Sequence, residues 1–167
     1  MPQTIAIEVK MPNDLAEFRL PPGVNARLQQ LLDKQDSGRR LTAAERLEAE
    51  GLVNLAEFLT LLLFNLAGML VLPSARDAVT FYVALETATI PLFLLVAWRR
   101  DAAGAEAAIK YLVVGALASA LLLYGLGLLY GLTGTLELAQ MGRVLPPIAA
   151  TWLAVALVLA GLGFKLT

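Results

Sequence analysis

The sequence predicts an all-α membrane protein with about four transmembrane helices, preceded by a small soluble α-rich head. Three observations carry this. Four successive apolar runs lie at about 55–72, 78–98, 105–130 and 148–167. Each approaches the roughly 20 residues that cross a hydrocarbon core of about 30 Å. The chain is 58% hydrophobic with a mean hydropathy of +0.69, more apolar than an ordinary soluble domain. The charges are uneven: of 13 Lys/Arg and 14 Asp/Glu, residues 1–57 hold 7 and 9.

The head is taken as residues 1–54. Residues 4–10, TIAIEVK, alternate apolar and polar positions and predict a short strand. The PPG at 21–23 marks a turn, after which Val24, Leu28, Leu31 and Leu32 share one helical face over residues 24–36. Ser37 and Gly38 end that helix. Thr42 and Glu45 have capping-box spacing and start a second one, with Leu47, Leu52, Leu55 and Leu59 along it. This head is too small for a robust core alone. Its first twenty residues lack an apolar h-region, so no cleavable signal peptide is expected.

The membrane part is taken as residues 55–167. Pro73 ends the first run, and short connections follow: PSAR at 73–76, RRDAAG near 99–104, and a longer Gly/Pro-bearing loop at 131–147. Arg99 and Arg100 place their loop and the head on the cytoplasmic side by the positive-inside rule. The two other loops carry only Arg76 and Arg143 and fall outside.

The composition also excludes chemistry. Without cysteine there are no disulfides, thiolate metal sites or iron–sulfur ligands in this chain. Without histidine there is no imidazole haem ligand, His-built zinc site or Ser-His pair. No basic patch with interleaved aromatics points to nucleic acid. Proton chemistry must use carboxylates, lysines, hydroxyls or water.

Three residues inside the runs stand out. Glu86 is the only charged side chain in 78–98 and lies near its centre. An acidic residue there costs about 2.5–3.5 kcal/mol on insertion scales, and such residues face a bundle interior or a wet cavity. Pro91, five residues on, gives no amide proton to the Thr87 carbonyl, which opens an acceptor beside Glu86. Tyr82, Thr89 and Ile90 share its face. Lys110 reads equally as a relay lysine or as a snorkelling one paired with Glu106 at i−4. Lys165 falls about 26 Å along a helix starting at Ile148, so a snorkelling role near the far interface competes with a buried one. Gly161 and Gly163 before it suit close packing or a helix break. Gly115 and Ser119 suit close approach of another helix, and Asn65 is free to hydrogen-bond a neighbour.

These residues stand in a specific setting. ALETATIPL, EAAIKYLVVGALASA, LLYGLTGTLEL and GLGFKL occur in that order between Glu57 and Thr167. In this the chain resembles the subunit N family of bacterial proton-pumping NADH–quinone oxidoreductases (respiratory complex I), antiporter-like membrane transporters. The resemblance implies a partial antiporter-like bundle in which Glu86, Lys110 and Lys165 relay protons, coupled to quinone reduction elsewhere in the complex. It implies no cofactor in this chain, with NADH, FMN, iron–sulfur clusters and quinone in partner subunits. It implies a multi-pass place in the bacterial inner membrane among other membrane subunits and lipid. The charged head stands where the family has its first three spans, and the second inverted repeat has no counterpart here. A complete transport path is therefore not expected within this chain. A cation/proton antiporter, a membrane-hydrogenase subunit or a non-transporting anchor are the competing readings.

Overall fold

The computed structural model describes residues 20–99 and 101–166. The expected strand at 4–10 and the side chains of Arg99 and Arg100 lie outside the described residues. Among the described residues the fold is all α, with six helices: α1 (Pro22–Asp36), α2 (Ala43–Val71), α3 (Ala78–Val96), α4 (Ala102–Thr133), α5 (Leu138–Val144) and α6 (Ala149–Leu166). Four helices, Ala43–Ser74 with its terminal 3-10 turn, α3, α4 and α6, are long and apolar enough to cross a membrane. The chain divides into two compact units at the Glu57–Phe58 boundary.

In the first unit, Pro22 opens α1 at a position where a missing amide proton costs nothing. Leu28 and Leu31 are buried on its inner face, as is Ala49 of α2. Gly38 continues the chain at φ 74°, a left-handed conformation that glycine adopts without strain. The capping box forms as its spacing predicts: Thr42 N–H donates to Glu45 Oε2 at 2.9 Å, and Glu45 N–H donates to Thr42 Oγ1 at 3.2 Å. Arg27 grips Glu48 through two 2.8 Å hydrogen bonds, and Lys34 pairs with Glu45 at 2.6 Å.

The sequence draws a domain boundary after residue 54, on composition. One helix, α2, runs through that position for 29 residues. No proline interrupts residues 43–71, and the intervening Ala, Leu and Glu are strong helix formers.

The second unit is built on α3, α4, α6 and residues 58–71 of α2. Its core joins Ala78, Leu85, Leu122, Leu126, Leu129, Met141 and Ala154. Asp77 caps α3, accepting from the amides of Val79 at 3.0 Å and Thr80 at 2.8 Å. Helix α4 starts on the Asp101 cap, with Gly104 N–H donating at 2.6 Å. At Gly161 of α6, a Cβ would meet the Ala118 carbonyl of α4 at 2.7 Å, so the two helices approach as closely as glycine permits. Pro91 does not end α3, which continues through it to Val96.

The long loop at 131–147 holds a further short helix, α5, which buries its own Met141. Its start is tied to the start of α3. Ala78 N–H donates to the Leu136 carbonyl and Leu138 N–H to the Arg76 carbonyl, each at 2.9 Å, making an antiparallel bridge between Asp77 and Glu137. The connections before α3 and after α4 therefore lie at the same end of this unit. No candidate span is more than 33% buried within the chain. Large apolar side chains such as Phe64, Val113 and Trp152 face outward, as they do where lipid or other helices take the place of water.

Candidate functional site

Glu86 lies on the third turn of α3 and Lys165 on the last turn of α6, 79 residues later. The packing of the second unit brings them together. Lys165 Nζ donates to Glu86 Oε2 at 3.1 Å and stands 3.1 Å from Oε1 as well. The lysine side chain is 2% exposed and the glutamate 15%. Helical side chains lean towards the N-terminus of their helix. That lean carries the amine back along α6 from the interface depth its sequence position suggests. The snorkelling alternative for Lys165 is thus not the one adopted.

Thr89 completes the arrangement. It sits one turn beyond Glu86, and its hydroxyl donates to the Leu85 carbonyl at 2.9 Å. With its proton committed there, the oxygen accepts from Lys165 Nζ at 3.2 Å. One ammonium thus meets a carboxylate and a hydroxyl at the interior of the helix group. Glu86 Oε1 is buried and has no hydrogen-bond partner among the described residues. The ammonium 3.1 Å away still compensates its charge. Tyr82, one turn before Glu86, is its neighbour and also neighbours Ser119 of α4.

Glu86 also forms part of the wall of an apolar cleft of about 400 Å³, lined by Leu61 and Phe64 of α2 and by Tyr82, Ile90 and Pro91 of α3. On the α2 side, Asn65 Nδ2 donates to the carbonyl of Ala88.

Lys110 is placed elsewhere. It is paired with Glu106 on an outward face of α4, the two side chains 72% and 67% exposed. The structure therefore joins Glu86 with Lys165 and leaves Lys110 in its local i,i+4 pair. The threonine ligand to Lys165 was signalled in the sequence only as a residue sharing the Glu86 face. The partner of Asn65 had no signal. No cluster of three or more metal-ligating side chains occurs among the described residues.

The comparisons with known proteins agree with one another. The family described as NADH:quinone oxidoreductase/Mrp antiporter, TM, matches residues 75–167, a span that includes Glu86, Lys110 and Lys165. NADH-quinone oxidoreductase subunit N of Heliobacterium modesticaldum is 47% identical over 112 residues, covering 66% of this chain and 24% of that protein. NADH-quinone oxidoreductase subunit N 3 of Streptomyces griseus is 36% identical over 167 residues, covering 90% of this chain and 30% of that protein. A chain of respiratory complex I from Thermus thermophilus, with bound aureothin, superposes with a TM-score of 0.58 at 34% identity, over 90% of this chain and 40% of that one. The chain spans about a quarter of the length of the curated relatives it matches over two thirds of itself. The two comparisons that cover 90% of the chain also take in part of residues 1–57.

Proposed function

The chain belongs to the NADH:quinone oxidoreductase/Mrp antiporter transmembrane family, and on that premise we propose that it serves a proton-translocating membrane subunit of an NADH–quinone oxidoreductase. The observation that carries the proposal is the buried contact of Lys165 with Glu86 across two helices.

A carboxylate and an amine in a dry interior exchange stability with every change of hydration or neighbouring charge. A proton reaching Glu86 weakens its hold on Lys165, and the released ammonium then seeks another acceptor. Thr89, already within reach of the ammonium, offers an oxygen. Lys110, with Glu106, is a second proton-holding pair on α4 and faces whatever covers that helix in an assembly. Quinone reduction that drives these moves, and the NADH, FMN and iron–sulfur chemistry behind it, belong to partner subunits. The protein sits in the bacterial inner membrane, with the head and the Arg99–Arg100 loop cytoplasmic.

The test is proton pumping by the assembled complex in vesicles. Glu86→Gln and Lys165→Ala each reduce pumping to near background while quinone reduction by the redox subunits persists or slows. Unchanged pumping in both variants would leave the membrane part as an anchor. Sodium-dependent pumping lost in the same variants would instead favour a cation/proton antiporter, and the family's description names an antiporter beside the oxidoreductase.

A further inference from the structure

We propose that Asn65 is a positioning residue for the Glu86–Lys165 pair, fastening the turn of α3 that carries Glu86 through the Ala88 carbonyl. For its functional readout this rests on the proton-relay reading above; its geometric readout does not.

An amide inside an apolar segment is costly unless satisfied. Asn65 satisfies its own by donating Nδ2 to the Ala88 carbonyl. Ala88 stands between Glu86 and Thr89, the two residues that receive the Lys165 ammonium. That stretch of α3 adjoins a gap in the helix's own hydrogen bonding. Pro91 supplies no amide proton for the Thr87 carbonyl. Thr87 and Thr89 add side-chain hydrogen bonds to the Val83 and Leu85 carbonyls at 2.8 and 2.9 Å, a pattern that bends helices. A turn that lacks one ladder bond needs an outside contact to fix where its side chains point.

Gly68 lets that contact form. It lies one turn after Asn65, and a Cβ there would meet the Ala88 nitrogen at 2.3 Å and the Ala84 carbonyl oxygen at 2.7 Å. Asn65 and Gly68 therefore both hold α3 at Ala88, where the turn lacking its bond meets the Ala84–Ala88 turn. Glu86 projects from that turn, and Thr89 follows directly on it.

The test uses Asn65→Leu, Gly68→Ala and Asn65→Gln in the assembled membrane complex, with Glu86→Gln alongside. The infrared carboxyl band that disappears in Glu86→Gln reports the Glu86 environment. Asn65→Leu and Gly68→Ala shift that band and lower proton translocation about tenfold or more, as misplacement by an ångström does. Asn65→Gln, which keeps the amide, restores most of both. A band and rate unchanged from the parent in Asn65→Leu overturn the proposal. If that variant is not recovered from membranes, an unmoved band in Gly68→Ala overturns it. Normal translocation in Glu86→Gln would sink the relay reading, while the band would still decide the role of Asn65.

Discussion

Glu86 and Lys165 stabilise each other only together. A buried ion that loses its partner costs about 3–5 kcal/mol, whereas removing both charges is far cheaper. Lys165→Met alone should therefore lower the unfolding midpoint in detergent micelles sharply, and Glu86→Gln with Lys165→Met should recover most of the loss. Circular dichroism melts of these two variants and of Glu86→Gln alone read the coupling, expected at about 0.5–3 kcal/mol; strictly additive losses would mean that the two residues do not act as a unit. Glu86 was legible in the sequence because one charge at the centre of an apolar span has few explanations. Lys165 was less so. Its distance along α6 points to an interface, and only the packing of both α3 and α6 on α4 shows that the amine turns inward. The sequence left Lys110 undecided, and its exposed pairing with Glu106 matches the local alternative that i,i+4 spacing suggests.

At the scale of the element, helix ends were more legible than helix lengths. The capping box at Thr42 and Glu45 and the stop at Ser37 and Gly38 are local chemistry, and the structure has them where the sequence places them. The full length of α2 was less visible, because a change from charged to apolar composition is not a break in the backbone. Helix α5 is seven residues long, too short for any periodicity to announce it. The cap on α3 gives a prediction that depends on pH. The Thr80 hydroxyl and amide hold the Asp77 carboxyl below the usual carboxylate range. Its contribution is therefore complete above the unfolded-state value of about 3.9 and fades as pH falls through the lower native value. Asp77→Ala should cost about 1 kcal/mol at neutral pH, and melts repeated in increasing acid should show that cost shrinking to nothing.

Across the whole molecule, the alternation of spans fixes which connections share a face. The chain has no cysteine, so single introduced thiols report their side of the membrane without background. Ser74→Cys and Gln140→Cys should react with an impermeant maleimide from one side of sealed vesicles, and Ala103→Cys from the other. Labelling of positions 74 and 140 from opposite sides would contradict the Asp77–Glu137 bridge. That bridge also acts as a zero mark. Glu86 stands nine residues beyond Asp77, about 13 Å along α3 and close to half the depth of a hydrocarbon core. With the start of α3 clasped to the chain leaving α4, the helix cannot slide or rotate to absorb a miscount. One residue inserted after Val79 would turn Glu86 by about 100° and advance it about 1.5 Å, away from Lys165, with every side chain still present. Proton translocation should fall as far as in Glu86→Gln, and deleting one residue between positions 80 and 85 should bring it back. The depth of the carboxylate is in this sense a number of residues, counted from a clasp made only of backbone.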